Sequence, residues 1–215
     1  MIRLVCLAIG YGFGLFQTSW LISKKHGFDI RDYGSGNAGT TNMIRTLGLK
    51  YGLLTFLGDF LKSVIAILIV AAIFRGSCAD SLPLLKMYAG AGVVLGHDFP
   101  FYLSFRGGKG VATTAGLMLA FDPVIFMLAF FAFFGVFLST HYVSAASLFT
   151  YAMMFVEIAL LGLCGHYHMM HPLLLELDLV TLCLTALCWW KHRANIARLL
   201  NGTERKTYLR KKKPE

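Results

Sequence analysis

The polar stretch Gly34-Ser35-Gly36-Asn37-Ala38-Gly39-Thr40-Thr41-Asn42, closed by Arg45, interrupts a chain that is otherwise mostly apolar. Its glycines allow positive φ and turn several backbone N–H groups toward one point. Such a concavity suits an anion, phosphate above all, and Arg45 adds a planar, permanently charged fork beside it. A second glycine-rich basic loop runs Phe105-Arg106-Gly107-Gly108-Lys109-Gly110-Val111-Ala112-Thr113. It is not a nucleotide P-loop, because Gly110 replaces the Ser/Thr and Leu103 stands where the first glycine belongs. Its flexible backbone and point charge still fit a phosphate; glycines for tight helix packing are the plainer alternative. A third cluster is His192-x-x-Asn195-x-x-Arg198, with Gly202 and Glu204 beyond it. On a continuous helix His192 and Asn195 share a face, as do Asn195 and Arg198. A histidine of near-neutral pKa can take a proton from a hydroxyl, and an interfacial histidine without chemistry is the plain alternative.

Other patterns lead nowhere sharper. Gly34-x-Gly36-x-x-Gly39 matches the dinucleotide fingerprint, and Asp59 lies twenty residues on, but apolar helices flank it where a βαβ unit is required. His166, His168 and His171 lack helical ligand spacing, and no metal or organic cofactor is expected. Cys6, Cys78, Cys164, Cys183 and Cys188 are an odd set without a CxxC pair and read as packing thiols. Asp59 and Lys62, at i,i+3 inside an apolar run, read as a buried ion pair, either structural or placed under the site.

The elements that must position these loops are apolar helices. Hydrophobic residues make up 57% of 215 and charged residues only 14%, against about a quarter charged in soluble domains. The runs are long enough for an all-α polytopic membrane protein, expected as a single membrane domain over residues 1–215. Seven spans are predicted: Ile2–Ile22, Leu53–Phe74, Leu84–Tyr102, Val111–Phe121, Val124–Leu138, Ala145–Cys164 and Leu173–Trp190. The fourth is only about 11 residues, roughly 17 Å by helical rise. Charge supports keeping it. With seven spans, sixteen of the twenty Lys and Arg residues face one side, which the positive-inside rule makes cytoplasmic. The amino terminus is then outside and the carboxyl terminus cytoplasmic. The motif loops near 24–50, 104–112 and 139–144 and the basic tail 191–215 all fall on that one face. The net charge of +9 suits anionic lipids and anionic substrates, and Arg210-Lys211-Lys212-Lys213 reads as a lipid-surface anchor. Nucleic acid is not an expected partner for a chain held in a bilayer.

Taken together, these residues resemble the bacterial acyl-phosphate:glycerol-3-phosphate acyltransferases, small seven-helix inner-membrane enzymes. Three motifs carry the likeness in order: Gly34-Ser35-Gly36-Asn37-x-Gly39-x-Thr41-Asn42 with Arg45; Gly96-His97 and Phe99-Pro100 leading to Phe105 and Gly107 through Thr113; and His192-x-x-Asn195-Ile196-x-Arg198-Leu199 with Gly202 and Glu204. It covers nearly the whole chain. Three positions depart: Arg106 stands for a lysine, His141 for an arginine before Tyr-x-Ser, and Ser63 for a glycine after Lys62. Ser144 still matches.

The resemblance implies transfer of a fatty acyl group from acyl phosphate to the 1-hydroxyl of glycerol 3-phosphate. The products are lysophosphatidic acid and phosphate, in the first step of membrane phospholipid synthesis, and an acyl-phosphate-forming enzyme is a conceivable upstream partner. Ser35, Gly36, Asn37, Gly39 and Thr41 are expected to cradle the acyl phosphate. Arg45, Lys109, Ser144 and His192 are expected to hold the glycerol phosphate, with Asn42, Gly107, Gly108, Arg198 and Glu204 among the binding residues. His192 with Asn195 positions or deprotonates the attacking hydroxyl, unless a substrate phosphate oxygen does so. Two other classes compete. A carrier for an anionic metabolite needs polar groups near the midplane and internal repeats, neither of which is seen here. A lipid-binding scaffold would show neither transport nor lipid product.

Overall fold

The computed structural model describes residues 1–207; the Arg210–Lys213 anchor expected from the sequence lies outside the described residues. Those residues form helices joined by short turns, with no strand among them. The helices are α1 (Ile2–Gly14), α2 (Thr18–Lys25), α3 (Thr40–Leu47), α4 (Leu49–Phe74), α5 (Leu82–Asp98), α6 (Val111–Phe121), α7 (Pro123–Thr140), α8 (Val143–Leu163), α9 (His171–Lys191) and α10 (Arg193–Leu200). The dinucleotide alternative therefore lacks its βαβ frame.

Five segments are long and apolar enough to cross a membrane: Ile2–Lys25, Leu49–Phe74, Pro123–Thr140, Val143–Leu163 and His171–Lys191. Leucines and phenylalanines on α4 and α7, such as Leu57, Leu61, Leu68 and Phe131, face outward, as a lipid-facing surface requires. Two of the seven expected spans are shorter. α5 has 17 residues and α6 has 11. Both are packed mostly against protein: Gly90, Val94, Thr113, Thr114 and Leu117 are buried. A core around Ile67, Leu84, Leu117, Met154 and Ile158 joins them to α4 and α8.

The first expected span is not one helix. It breaks between Gly14 and Thr18. The break is stabilised from within the protein: fully buried Gln17 donates to the carbonyl of His97 at 2.9 Å, and Lys62 donates to that of Phe16 at 2.7 Å. The upper half packs backbone to backbone on α5. A Cβ on Gly10 would overlap the Ala89 carbonyl, and one on Gly92 would overlap that of Leu7. Glycine at both crossings lets the helices approach this closely.

Three other boundaries shift for local reasons. The third span ends at Asp98 rather than Tyr102, because Pro100 cannot continue a helix. α7 begins at Pro123, with Asp122 capping the Val124 N–H at 2.8 Å. The last span stops at Lys191, and the tail restarts as α10 with His192 at the corner. The Asp59–Lys62 pair forms at 3.0 Å, almost fully buried. The five cysteines are unpaired; Cys6 and Cys188 are buried, Cys78 is partly buried, and Cys164 and Cys183 lie on the surface. His166 contacts Asp122 at 2.7 Å, and no group of three or more metal-ligating side chains occurs among the described residues.

Candidate active site

α3 and its preceding loop form the first wall. Gly34 and Gly36 take positive φ, +63° and +70°, which glycine adopts at no steric cost. Asn42 fixes the loop. Its amide oxygen accepts from the Ser35 N–H at 2.8 Å, and its NH₂ donates to the carbonyls of Ile30 and Tyr33 at 3.1 and 3.0 Å. Asn42 is buried, so it acts as the keystone of the loop rather than as a group facing a ligand. Gly39 caps α3 in an extended conformation, and Arg45 lies in the last turn of the helix. From there Arg45 reaches Thr207 Oγ1 at 3.2 Å and the Arg205 carbonyl at 3.5 Å. The Thr207 N–H in turn donates to the His141 carbonyl at 2.9 Å.

The second wall is the turn between α5 and α6. The Gly108 N–H donates to the His97 carbonyl at 3.1 Å, and that of Gly107 to Asp98 at 3.3 Å. Gly110, at φ +72°, starts α6. The first N–H groups of α6 follow Lys109 in sequence and have no acceptor within the helix, as at any helix start, which favours an anion there.

The third wall is the corner between α9 and α10, and here the expected residues converge. Lys109 Nζ donates to Asn195 Oδ1. The Asn195 amide donates to Glu204 Oε1 at 2.6 Å, Ser144 Oγ donates to the same oxygen at 2.8 Å, and Arg198 Nε donates to Glu204 Oε2 at 2.6 Å. Residues from the α5–α6 turn, α8, α10 and the tail are thus joined through one carboxylate. The grouping of Glu204 with the substrate ligands needs revision. Its oxygens are taken by Ser144, Asn195 and Arg198, and a carboxylate would repel a phosphate. It organises the donors instead.

His192 is 3% exposed. Its Nδ1 lies 2.9 Å from the Cys188 carbonyl oxygen. A carbonyl only accepts, so Nδ1 carries the hydrogen and Nε2 keeps a lone pair. Burial, then the neighbouring Lys109 charge, holds the imidazole down at about 4, so it is neutral near pH 7. Burial also lowers Lys109 to about 8, helped by Arg198 and opposed by Glu204. Burial and the nearby Arg205 charge lower Arg45, which stays protonated. Burial alone would raise Glu204, but hydrogen bonds from Asn195, Arg198 and Ser144 outweigh it and hold the carboxylate low. The result is a cluster of three permanent or near-permanent cations, one internal anion and one neutral acceptor.

An apolar cavity of about 350 Å³ opens beside the second wall, between α4, α6, α7 and α8. Phe60, Ala115, Phe126, Ala129, Phe130 and Tyr151 line it. The Tyr151 hydroxyl donates to the Gly110 carbonyl at 3.2 Å, tying the cavity to the basic turn.

A cationic cluster linked through Gly110 to an apolar cavity agrees with comparisons of the whole chain. The model of the family described as glycerol-3-phosphate acyltransferase matches residues 4–202. The chain belongs to the glycerol-3-phosphate acyltransferase family. The glycerol-3-phosphate acyltransferase of Clostridioides difficile (strain 630) is 44% identical over 204 residues, covering 94% of each chain. That of Aquifex aeolicus (strain VF5) is 37% identical, covering 95% of this chain and 98% of its own. The crystal structure of PlsY, an integral membrane glycerol 3-phosphate acyltransferase in its glycerol 3-phosphate form, superposes with a TM-score of 0.81 at 35% identity, covering 96% of each chain. Its lysophosphatidic acid form gives 0.78 at 35% identity, covering 95% of this chain and 94% of the other. This chain is therefore a multi-pass membrane acyltransferase of that family.

The sequence located Lys109, Ser144, His192, Asn195, Arg198 and Glu204, and the structure joins five of them directly. Arg45 connects through residues 205–207. The hydrogen bonds of Ser35, Gly36, Asn37 and Gly39 stay within their own loop and α3. Cys188 reads from the sequence only as a packing thiol, and Thr207 is not singled out there. Cys188 stands four residues before His192, a helical spacing that could have signalled the contact; Thr207 sits in an unpatterned tail with no signal at all.

Proposed function

We propose that this acyltransferase moves a fatty acyl group from an acyl phosphate to the 1-hydroxyl of glycerol 3-phosphate, releasing lysophosphatidic acid and inorganic phosphate. The observation that carries this reading is the Lys109–Asn195–Glu204–Ser144 network beside His192, whose bare Nε2 is set by the Cys188 carbonyl. Lys109, Arg45 and Ser144 hold the glycerol phosphate. The loop of Ser35, Gly36, Asn37, Gly39 and Thr41 holds the acyl phosphate, and the 350 Å³ cavity takes part of its tail.

The hydroxyl oxygen attacks the acyl carbonyl carbon. The carbonyl carbon–oxygen bond to phosphate breaks, and phosphate leaves with the electron pair. The hydroxyl proton passes to His192 Nε2 or to a phosphate oxygen. An acyl phosphate is a mixed anhydride with a good leaving group, so no covalent enzyme intermediate is needed. The barrier lies in bringing two polyanions together, and the three cations offset that repulsion in a partly desolvated site. Holding the donor in the bilayer and the acceptor at its surface supplies orientation.

The chain forms one membrane domain with seven crossings, the amino terminus outside and the site on the cytoplasmic face of the bacterial inner membrane. The bias of Lys and Arg to one side supports this orientation. It also places the tail against anionic lipid, and the acyl donor within reach of an enzyme that forms it.

Purified enzyme given labelled glycerol 3-phosphate with acyl phosphate, acyl-CoA or acyl carrier protein decides the donor. Lipid product from acyl phosphate alone is expected. Product from a thioester alone overturns the donor assignment. Vesicle uptake without lipid product overturns the enzyme reading.

A further inference from the structure

The two buried histidines at the site face opposite kinds of partner at Nδ1. His192 uses Nδ1–H on a carbonyl, as described above. His97, at the end of α5, faces Lys62 from α4 instead, with Lys62 Nζ 2.9 Å from His97 Nδ1. Lys62 also reaches Asp59 Oδ1 at 3.0 Å and the carbonyls of Phe16 and Gly14 at 2.7 and 3.3 Å. An ammonium has only donors. Its three hydrogens are shared among these four groups, and Asp59 Oδ1 lies 3.7 Å from the same ring nitrogen; because the ammonium cannot accept, its approach to Nδ1 favours the tautomer with the hydrogen on Nε2.

That Nε2–H points at the basic turn. It occupies the space a side chain on Gly108 would fill, and a Cβ there would overlap it. His97 is 4% exposed, and its Nε2 lies against Gly108. The backbone of the same residue carries the turn, since its carbonyl accepts from the Gly108 N–H at 3.1 Å and from Gln17 at 2.9 Å. The contact itself is the geometric fact: the ring edge fills the space beside Gly108. Here it lies under the residue that precedes Lys109, with the Lys62 ammonium behind it.

We propose that His97 is a positioning residue for the basic turn, and that Lys62 acts by holding it in the Nε2–H form. The polarised N–H edge sets the height of Gly108 and Lys109 and adds positive potential beneath the bound phosphate. This inference rests on the proposal that the 107–110 turn receives glycerol 3-phosphate.

The test compares two amides. In His97→Gln the side-chain amide reaches the Nε2 position and keeps a donor there. In His97→Asn the amide oxygen can still accept from Lys62, but no donor reaches Gly108. The expected result is a KM for glycerol 3-phosphate raised about tenfold or more in H97N and much less in H97Q, with the KM for the acyl donor unchanged, on the scale of one charge-assisted hydrogen bond. Lys62→Met frees the tautomer and should raise the same KM in the wild-type background but add nothing in H97N. A residue needed only to satisfy Lys62 gives the reverse order, with H97Q worse than H97N, and overturns the proposal. So does an unchanged KM in both H97N and K62M. If neither His97 variant folds in detergent, K62M and Gly108→Ala decide, because a methyl at 108 must displace the ring; unchanged KM values there overturn it as well. Failure of wild-type enzyme to acylate glycerol 3-phosphate, or full activity in Lys109→Ala, would instead discard the underlying site assignment.

Discussion

Lys109 and Asn195 stand 86 positions apart in the chain, yet the ammonium of one donates to the amide oxygen of the other. The bond leaves the Asn195 NH₂ to engage Glu204, so the position of the cation is set by the tail as much as by its own turn.

Disrupting this link separates charge from placement. Lys109→Ala should lower kcat/KM about a hundredfold to ten-thousandfold, the range for loss of a group that stabilises transition-state charge. Glu204→Gln should act more mildly, because it removes no cation but weakens the grip on Arg198 and Asn195. Steady-state rates with both substrates varied, and the yield of monodisperse protein in detergent, check each variant.

The pH profile should be set by Lys109 on the alkaline side and not by His192 on the acid side. Lys109 titrates at about 8 in the free enzyme, so kcat/KM for glycerol 3-phosphate should fall above that pH. In Lys109→Arg any remaining activity should lose this limb, because a guanidinium does not deprotonate. His192 stays neutral down to about 4, so no loss is expected as pH falls through 6.5. An acid limb near 6 instead reports the second ionisation of the substrate phosphate, about 6. By linkage, the lowered histidine favours the folded state above 6.5 and withdraws that support as pH falls toward 4. Rate profiles and thermal unfolding between pH 4 and 10 test both.

Asn42→Ala should release the 33–36 turn. Three hydrogen bonds, buried or partly buried, are lost together, and about 1–3 kcal/mol is the ordinary cost of leaving one buried group unpaired. A fall in melting temperature with a loss of turnover is expected. Asn42→Asp should not rescue it, because a carboxylate cannot donate to the Ile30 and Tyr33 carbonyls.

Filling the apolar cavity should change which donors are used. Ala115→Phe and Ala129→Phe each project a ring into the space between α6, α7 and α8. Preference should move toward shorter acyl phosphates, by about tenfold or more in the ratio of kcat/KM values. An unchanged ratio would place the acyl tail elsewhere.

Much of this molecule was legible in linear form because its signals are local. Long apolar runs set the helices, the glycine turns and basic residues marked the polar face, Lys109, His192 and Asn195 stood out by type, and Ser144 by its match to the family pattern. Other features were not legible, because they depend on partners distant in sequence. The first apolar run reads as one helix; only the Gln17 contact with α5 and the Lys62 contact from α4 show why it breaks. Glu204 reads as one more binding residue; only its three donors show that it assembles the others. Nothing in either local sequence says that His192 Nδ1 faces a carbonyl while His97 Nδ1 faces an ammonium. The amino-acid sequence determined which groups exist and which elements hold them. Tertiary packing decided which carbonyl, carboxylate or ammonium faces each group, and so its protonation, its tautomer and its task.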